Sequence, residues 1–410
     1  MSPSHARRFV IVRQDNLGDV ALALPMAGLL KRAVPGCHVA FAVRGYARDV
    51  VAASRHVDAA LVFDGADAFE RVLREHRPDA VILAMPSWPL ARAAARARVP
   101  IRVGTARRWY HWLWCTHRPV VRRKGSTLHE AELDLRLLAP FVAQVDLPRD
   151  ALWPLAGLGP CDPAAAAAAA RAGPPERAAG AREPTAVKPT AAEPSAAEPS
   201  AAEPSAAEPS AAEPSAAEPA AVEPAAAADA PRRSGGWPLR PGVANLLLQM
   251  RSNGNGKEWP LERYVELVRR LPPERVNAIV NGTPAEGDAL RAAAPELFVL
   301  PQVTDATRGF PIAALMAALP RMDAVLSNST GPMHLAALSG APTVGLFVDL
   351  PGMDAARWGP LGPDARALIA PRAACVRCPR GAARCPCMAA IDVDTVLRAL
   401  PPRVAGRDAD

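Results

Sequence analysis

The chain has 410 residues, with 48 Lys+Arg against 41 Asp+Glu; half of the residues are hydrophobic and 5% are aromatic. At about 100–200 residues per domain, that length predicts two or three domains, each large enough to bury a core without staples. The composition excludes collagen, a disulfide scaffold and a wholly disordered chain. No stretch of about 18 apolar residues lacks charge, and Phe9–Val12 is too short for a signal-peptide core, so a cytoplasmic protein is expected.

Phe9–Val12 reads as the first strand. Asp19–Val34 follows with helical spacing, placing Leu22, Met26, Leu29, Leu30 and Val34 on one stripe. Between them lies Arg13-Gln-Asp-Asn-Leu-Gly-Asp19, a polar strand-to-helix turn. Asp15 and Asp19 in such a turn either cap the helix or present carboxylates beyond the strand's carboxyl end. Further strands are expected at His38–Val43, Leu61–Phe63 and Ala80–Leu83.

The segment Arg107-Arg108-Trp109-Tyr110-His111-Trp112-Leu113-Trp114, followed by Arg118, Arg122, Arg123 and Lys124, interleaves basic and aromatic residues. It suits stacking on nucleic-acid bases, an anionic glycolipid at a membrane surface, or a loop that packs its tryptophans inward.

From about Gly157 to Pro241 the chain becomes Ala, Pro, Glu and Ser, with five consecutive Ala-Ala-Glu-Pro-Ser copies at 191–215. Proline every five residues forbids a continuous helix, and nothing apolar beyond alanine offsets ordering entropy. A disordered linker is expected over 157–241, between domains at 1–156 and 242–410. Residues 1–155 carry 23 Lys+Arg and 14 Asp+Glu, a net +9, so the basic excess lies in the first domain and favours an anionic partner.

Beyond the linker, Ala244–Leu248, Val276–Val280, Ala324–Ser327 and Thr343–Phe347 read as strands. Leu261–Leu271, Ala285–Ala293, Ile312–Leu319 and Met333–Ser339 read as helices between and after them. Alternating units of this kind predict doubly wound parallel sheets in both halves, with a cleft between. Arg251–Pro260 follows one strand and carries two glycines and Lys257, either a mobile cation for a phosphate or a solvated loop lysine. Asn328-Ser329-Thr330-Gly331-Pro332-Met333-His334 follows another. It suits a phosphate on free helix-start amides, with Ser329 and Thr330 hydroxyls and His334 in reach, or a plain capped helix. Neither a Walker nor a dinucleotide-binding glycine pattern is present.

Together these segments resemble the heptosyltransferase family of lipopolysaccharide core biosynthesis. The matching features are the Arg13-to-Asp19 turn, Lys257-x-Trp259-Pro260, Asn328 to His334, and a tail with Cys387, Met388 and Ile391. The resemblance spans nearly the whole chain except the Ala/Pro/Glu segment, which looks like an insertion. It implies a GT-B fold, with acceptor in the first domain and nucleotide sugar in the second. It also implies inverting, metal-independent transfer of heptose from ADP-L-glycero-D-manno-heptose to the anionic lipopolysaccharide core, with no cofactor.

By position match, Asp19 would be the general base and Lys257 would hold the diphosphate. Ser329, Thr330, Gly331 and His334 would line the donor pocket. The resemblance favours acceptor binding for Arg13, Arg107, Arg108, Arg122 and Arg123, with peripheral contact at the inner face of the inner membrane and no nucleic-acid partner. It departs at Ser329, where the family has Asp, and this leaves the donor sugar open. Cys375, Cys378, Cys385 and Cys387 could hold a structural zinc or remain reduced thiols. A GT-B enzyme for another nucleotide sugar and a non-catalytic glycolipid-binding protein are the rival readings.

Overall fold

A computed structural model of the chain describes residues 2–159, 237–252, 256–371 and 385–407. The Ala-Ala-Glu-Pro-Ser repeats, Cys375 and Cys378 lie outside them, so the expectations of a disordered linker and of a four-cysteine site do as well. Two wholly parallel sheets organise the described residues. The first has five strands, in the order β3 (Ala59–Val62), β2 (His38–Val43), β1 (Arg8–Val12), β4 (Ala80–Leu83), β5 (Ile101–Val103). The second has six: β11 (Ala365–Ala370), β10 (Thr343–Val348), β9 (Ala324–Asn328), β6 (Ala244–Gln249), β7 (Val276–Asn281), β8 (Val303–Asp305). The expected α/β architecture of two doubly wound sheets is therefore present.

The central strands are short apolar runs buried on both faces, as parallel sheets flanked by helices require. Register is direct: Phe9 pairs with Val39 on one side and Ala80 on the other. Each sheet has one point where the strand order reverses, between β1 and β4 and between β6 and β9. Ligands of such sheets bind outside the carboxyl ends of the strands at these reversals. Three of the four segments singled out by the sequence begin at those ends, after β1, β6 and β9.

The expected single helix over 19–34 is two, Leu17–Ala23 and Pro25–Ala33. Pro25 has no N–H to donate back into the first helix, so the chain restarts there with proline at the first position of the second. The described residues begin again at Trp237, ahead of the expected boundary at 242. Trp237 is buried, its ring lies 5.0 Å from that of Phe310, and the Asn277 amide donates to the Pro238 carbonyl.

One hydrophobic core joins the sheets. Leu22, Met26 and Leu30 of the first half share it with Leu335, Ala336 and Leu338 from helix Gly331–Leu338 of the second. Both sheets belong to one compact unit.

Candidate active site

Two helix starts meet face to face where the sheets approach. Helix Leu17–Ala23 follows β1 and helix Gly331–Leu338 follows β9, and the contact is glycine on glycine. A Cβ on Gly18 would lie 2.9 Å from His334 Cδ2 and 3.3 Å from the Gly331 Cα. A Cβ on Gly331 would lie 3.1 Å from the Gly18 nitrogen. Only residues without side chains let the backbones come this close.

A cavity of about 170 Å³ opens beside this contact. Its wall includes Asp19, Ser329, Thr330, Gly331 and His334, and Gly352, Met353 and Trp358 also line it. Neither helix start carries a side-chain cap: Asn16 and Thr330 hold the capping positions without bonding the first-turn amides. Those amides therefore keep their donors and the positive end of the helix dipole for a ligand. A second cavity of about 410 Å³ shares Gly18, Thr330 and Gly331 and extends between Gln249, Asn281 and Phe310.

Asp19 sits over a buried ion cluster. Its Oδ1 accepts from Arg13 Nη2 at 2.7 Å. Arg13 is 3% exposed, and its remaining nitrogens are also engaged. Nε donates to Asp15 at 2.7 Å, and Nη1 donates to both oxygens of Asp134 at 3.0 and 3.1 Å. Glu130 closes on Arg13, Arg123 and Arg357, while Asp134 also accepts from Arg123 at 2.6 Å. Four carboxylates thus share three guanidiniums.

Burial pushes the Asp19 pKa up to about 6. The Arg13 charge opposes this, while Asp15 and Asp134 add to it. For Arg13, burial alone would lower the pKa, but Asp134, Asp15 and Asp19 raise it above its ordinary value. Asp19 is thus an acid of near-neutral pKa at the mouth of a cavity, a suitable proton acceptor.

Arg13 was expected to contact the acceptor. The structure instead places it beneath Asp19, buried and bonded to Asp15, Asp19 and Asp134. Arg123 is partly buried in the same cluster, while Arg107, Arg108 and Arg122 are exposed on the excursion after β5. Lys257 is 5% exposed and lies in the wall of neither cavity. Its loop nevertheless touches the β9 turn, since a Cβ on Gly256 would sit 2.7 Å from the Ser329 carbonyl oxygen.

Asn328 anchors that loop. Its side chain accepts from the Trp259 N–H at 3.0 Å and donates to the Met250 carbonyl at 2.7 Å. The indole of Trp259 donates to the Ile391 carbonyl at 2.8 Å. The Lys-x-Trp-Pro and Asn-to-His segments are therefore tied together by their own side chains. His334 is buried, its Nδ1 has no hydrogen-bond partner, and burial followed by the charge of His129 pushes its pKa down to about 3. It stays neutral.

Four contributors escaped the sequence reading: His129, Glu130, Asp134 and Arg357. His129 Nε2 bonds the Gly359 carbonyl at 2.9 Å, while its Nδ1 accepts from the Ala131 N–H. Burial pushes its pKa down to about 4. Arg357 reaches Glu130 and donates to the Arg123 carbonyl at 2.8 Å. Loop 350–359 of the second half is thereby fastened to helix Glu130–Leu135 of the first. Only the capping pattern at His129 and Glu132 is local enough to be read from the sequence.

Comparison with known proteins agrees with this fold. Residues 214–386 match the family model described as Glycosyltransferase family 9 (heptosyltransferase). A glycosyl transferase family 9 structure from Veillonella parvula DSM 2008 superposes with a TM-score of 0.61 at 16% identity, over 99% of each chain. The E. coli ADP-heptose lps heptosyltransferase II gives 0.62 at 16% identity, over 97% of this chain and 99% of that one. E. coli heptosyltransferase WaaC with ADP gives 0.59 at 15% identity, over 95% and 98%. A search of curated proteins finds no match.

Proposed function

We propose that this chain, whose residues 214–386 match the glycosyltransferase family 9 model, transfers heptose from ADP-L-glycero-D-manno-heptose to the lipopolysaccharide inner core, inverting the anomeric centre without a metal. The observation that carries the reading is the cavity at which Asp19 faces the uncapped Thr330–His334 helix start. A related structure, E. coli WaaC, holds ADP, and another of the same enzyme holds ADP-2-deoxy-2-fluoro heptose. An ADP-sugar is accordingly the donor class we assign. Residues 1–156 form the acceptor domain and 242–410 the donor domain on this reading.

The acceptor hydroxyl attacks the anomeric carbon as Asp19 takes its proton, and the bond to the diphosphate oxygen breaks. ADP leaves with the bonding electron pair. The first-turn amides of helix Gly331–Leu338 and the Lys257 ammonium stabilise that departing charge. The Ser329 and Thr330 hydroxyls and neutral His334 orient the donor. Arg107, Arg108, Arg122 and Arg123 meet the anionic groups of the acceptor.

Ser329 favours a second reading, a GT-B enzyme for a different nucleotide sugar, because the family carboxylate at this place is missing. A panel of nucleotide sugars tested for protection against thermal unfolding separates the two. Protection and turnover with ADP-heptose are expected, and Asp19→Asn should lose about 10²–10⁴-fold in turnover while ADP still binds. Protection by a uridine or guanosine sugar in place of ADP-heptose would overturn the donor assignment, and near-normal turnover of the variant would remove Asp19 from the base role.

A further inference from the structure

Between Asp79 and Glu130 the sequence contains ten Lys/Arg and no Asp or Glu. Part of this stretch leaves the first sheet after β5 and returns alongside it. The Thr116 N–H bonds the Arg102 carbonyl at 2.8 Å, and the Gly104 and Ala106 N–H groups bond the carbonyls of His117 and Pro119. The tip of this excursion, around helix Trp109–Trp114, is apolar and faces solvent. Trp109 is 69% exposed, Trp112 and Leu113 61%, and Val120 69%. The inward-packing alternative therefore fails for these residues.

The tip is held in place. Trp109 packs against Trp88 with the rings tilted at 44° and their centroids 5.1 Å apart, and the Trp112 indole donates to the Ala106 carbonyl at 3.1 Å. Around it Arg107, Arg108, Arg122 and Lys124 are exposed. An apolar tip ringed by cations without a single intervening acid matches an anionic layer over hydrocarbon. Base stacking fits less well: one face of Trp112 is covered by the Arg118 guanidinium at 4.6 Å, and Leu113 and Val120 offer no ring. A second copy of the same all-basic face would be repelled.

We propose that this tip seats in the headgroup layer of an anionic lipid bilayer. Trp109, Trp112 and Leu113 reach the apolar boundary, and Arg107, Arg108, Arg122 and Lys124 lie on lipid phosphates. The purpose of the contact rests on the acceptor reading above, since the excursion ends in Arg123, beside Asp134 and the Arg13–Asp19 pair. A seated tip would present a lipid-borne acceptor to that cluster.

The test needs neither acceptor nor catalysis. The full chain is sedimented with phosphatidylglycerol-containing vesicles and with pure phosphatidylcholine vesicles, at low and high salt. Binding to the anionic vesicles that weakens with salt is expected, with little binding to the neutral ones. Arg107→Ala with Arg108→Ala should weaken it about 25-fold, at about fivefold per cation. Trp109→Ser with Leu113→Ser should weaken it at least tenfold while ADP-induced thermal stabilisation stays at the parent value, which shows that the fold survives. Equal binding to neutral vesicles, no binding, or unaffected variants would overturn the proposal. So would tighter binding to single-stranded nucleic acid than to vesicles, or a concentration-dependent dimer that the same variants abolish.

Discussion

Asp134 never reaches the cavity, yet its charge should add to the effect of burial and raise the working pH of the reaction. Asp134 and Asp19 bind the two terminal nitrogens of one guanidinium, at 3.0 and 2.7 Å. That places the two carboxylates about 6 Å apart, where like charges at an effective dielectric of about 20 repel by about 3 kcal/mol. Asp134→Asn removes this repulsion and leaves more of the Arg13 charge to Asp19. Both changes favour the ionised Asp19. At about 1.4 kcal/mol per pKa unit, the Asp19 pKa should fall by about one to two units from its value of about 6.

A base must be unprotonated to act, so activity rises with pH through that pKa, and the variant's acidic limb should move down by the same amount. Its plateau should fall as well, because a weaker base pulls less on the hydroxyl proton. The measurement is kcat/KM against pH from about 4 to 9, with circular dichroism to confirm folding, since opening a buried ion cluster costs about 3–5 kcal/mol. A folded variant whose acidic limb stays in place would refute the claim that Arg13 is shared between these carboxylates.

Other substitutions probe the rest of the site. Gly18→Ala places a methyl 2.9 Å from His334 Cδ2 and should force the two helix starts apart, costing about 1–3 kcal/mol in stability by chemical denaturation. Lys257→Ala should weaken ADP binding about 10- to 150-fold by calorimetry at low salt, and an unchanged affinity would remove Lys257 from the donor site. Ser329→Asp should leave ADP affinity nearly unchanged and raise affinity for ADP-heptose; a loss for both would tie position 329 to the phosphates instead.

The sheets were legible because their strands are short apolar runs bounded by polar turns. The expected limits of β2 and β4 coincide with those observed, and β6, β7, β9 and β10 each extend one residue further. β5, β8 and β11 escaped notice. β5 and β8 are three residues each, and β11 lies at the sheet's edge with a half-exposed, weakly alternating pattern. The turns after β1, β6 and β9 were legible because glycine, proline and hydroxyl residues are concentrated there.

The cluster beneath Asp19 left no comparable trace. Glu130 and Asp134 sit on a helix more than a hundred positions from Arg13, and helical spacing explains two acids four apart without reference to any arginine. Arg357 comes from the other half of the chain altogether. Long-range ion pairing has no period, so only the folded chain reveals which charges meet.

The fastening between Glu130 and Arg357, together with the bond from His129 to the Gly359 carbonyl, bears on attempts to recombine enzymes of this kind. Joining the first half of one relative to the second half of another is a natural route to new donor–acceptor combinations, and the Ala/Pro/Glu stretch offers an obvious splice point. A splice there would separate the histidine and the acid from the loop they hold. A hybrid should therefore inherit positions 129–134 and 355–359 from the same parent, even though they fall on opposite sides of the junction.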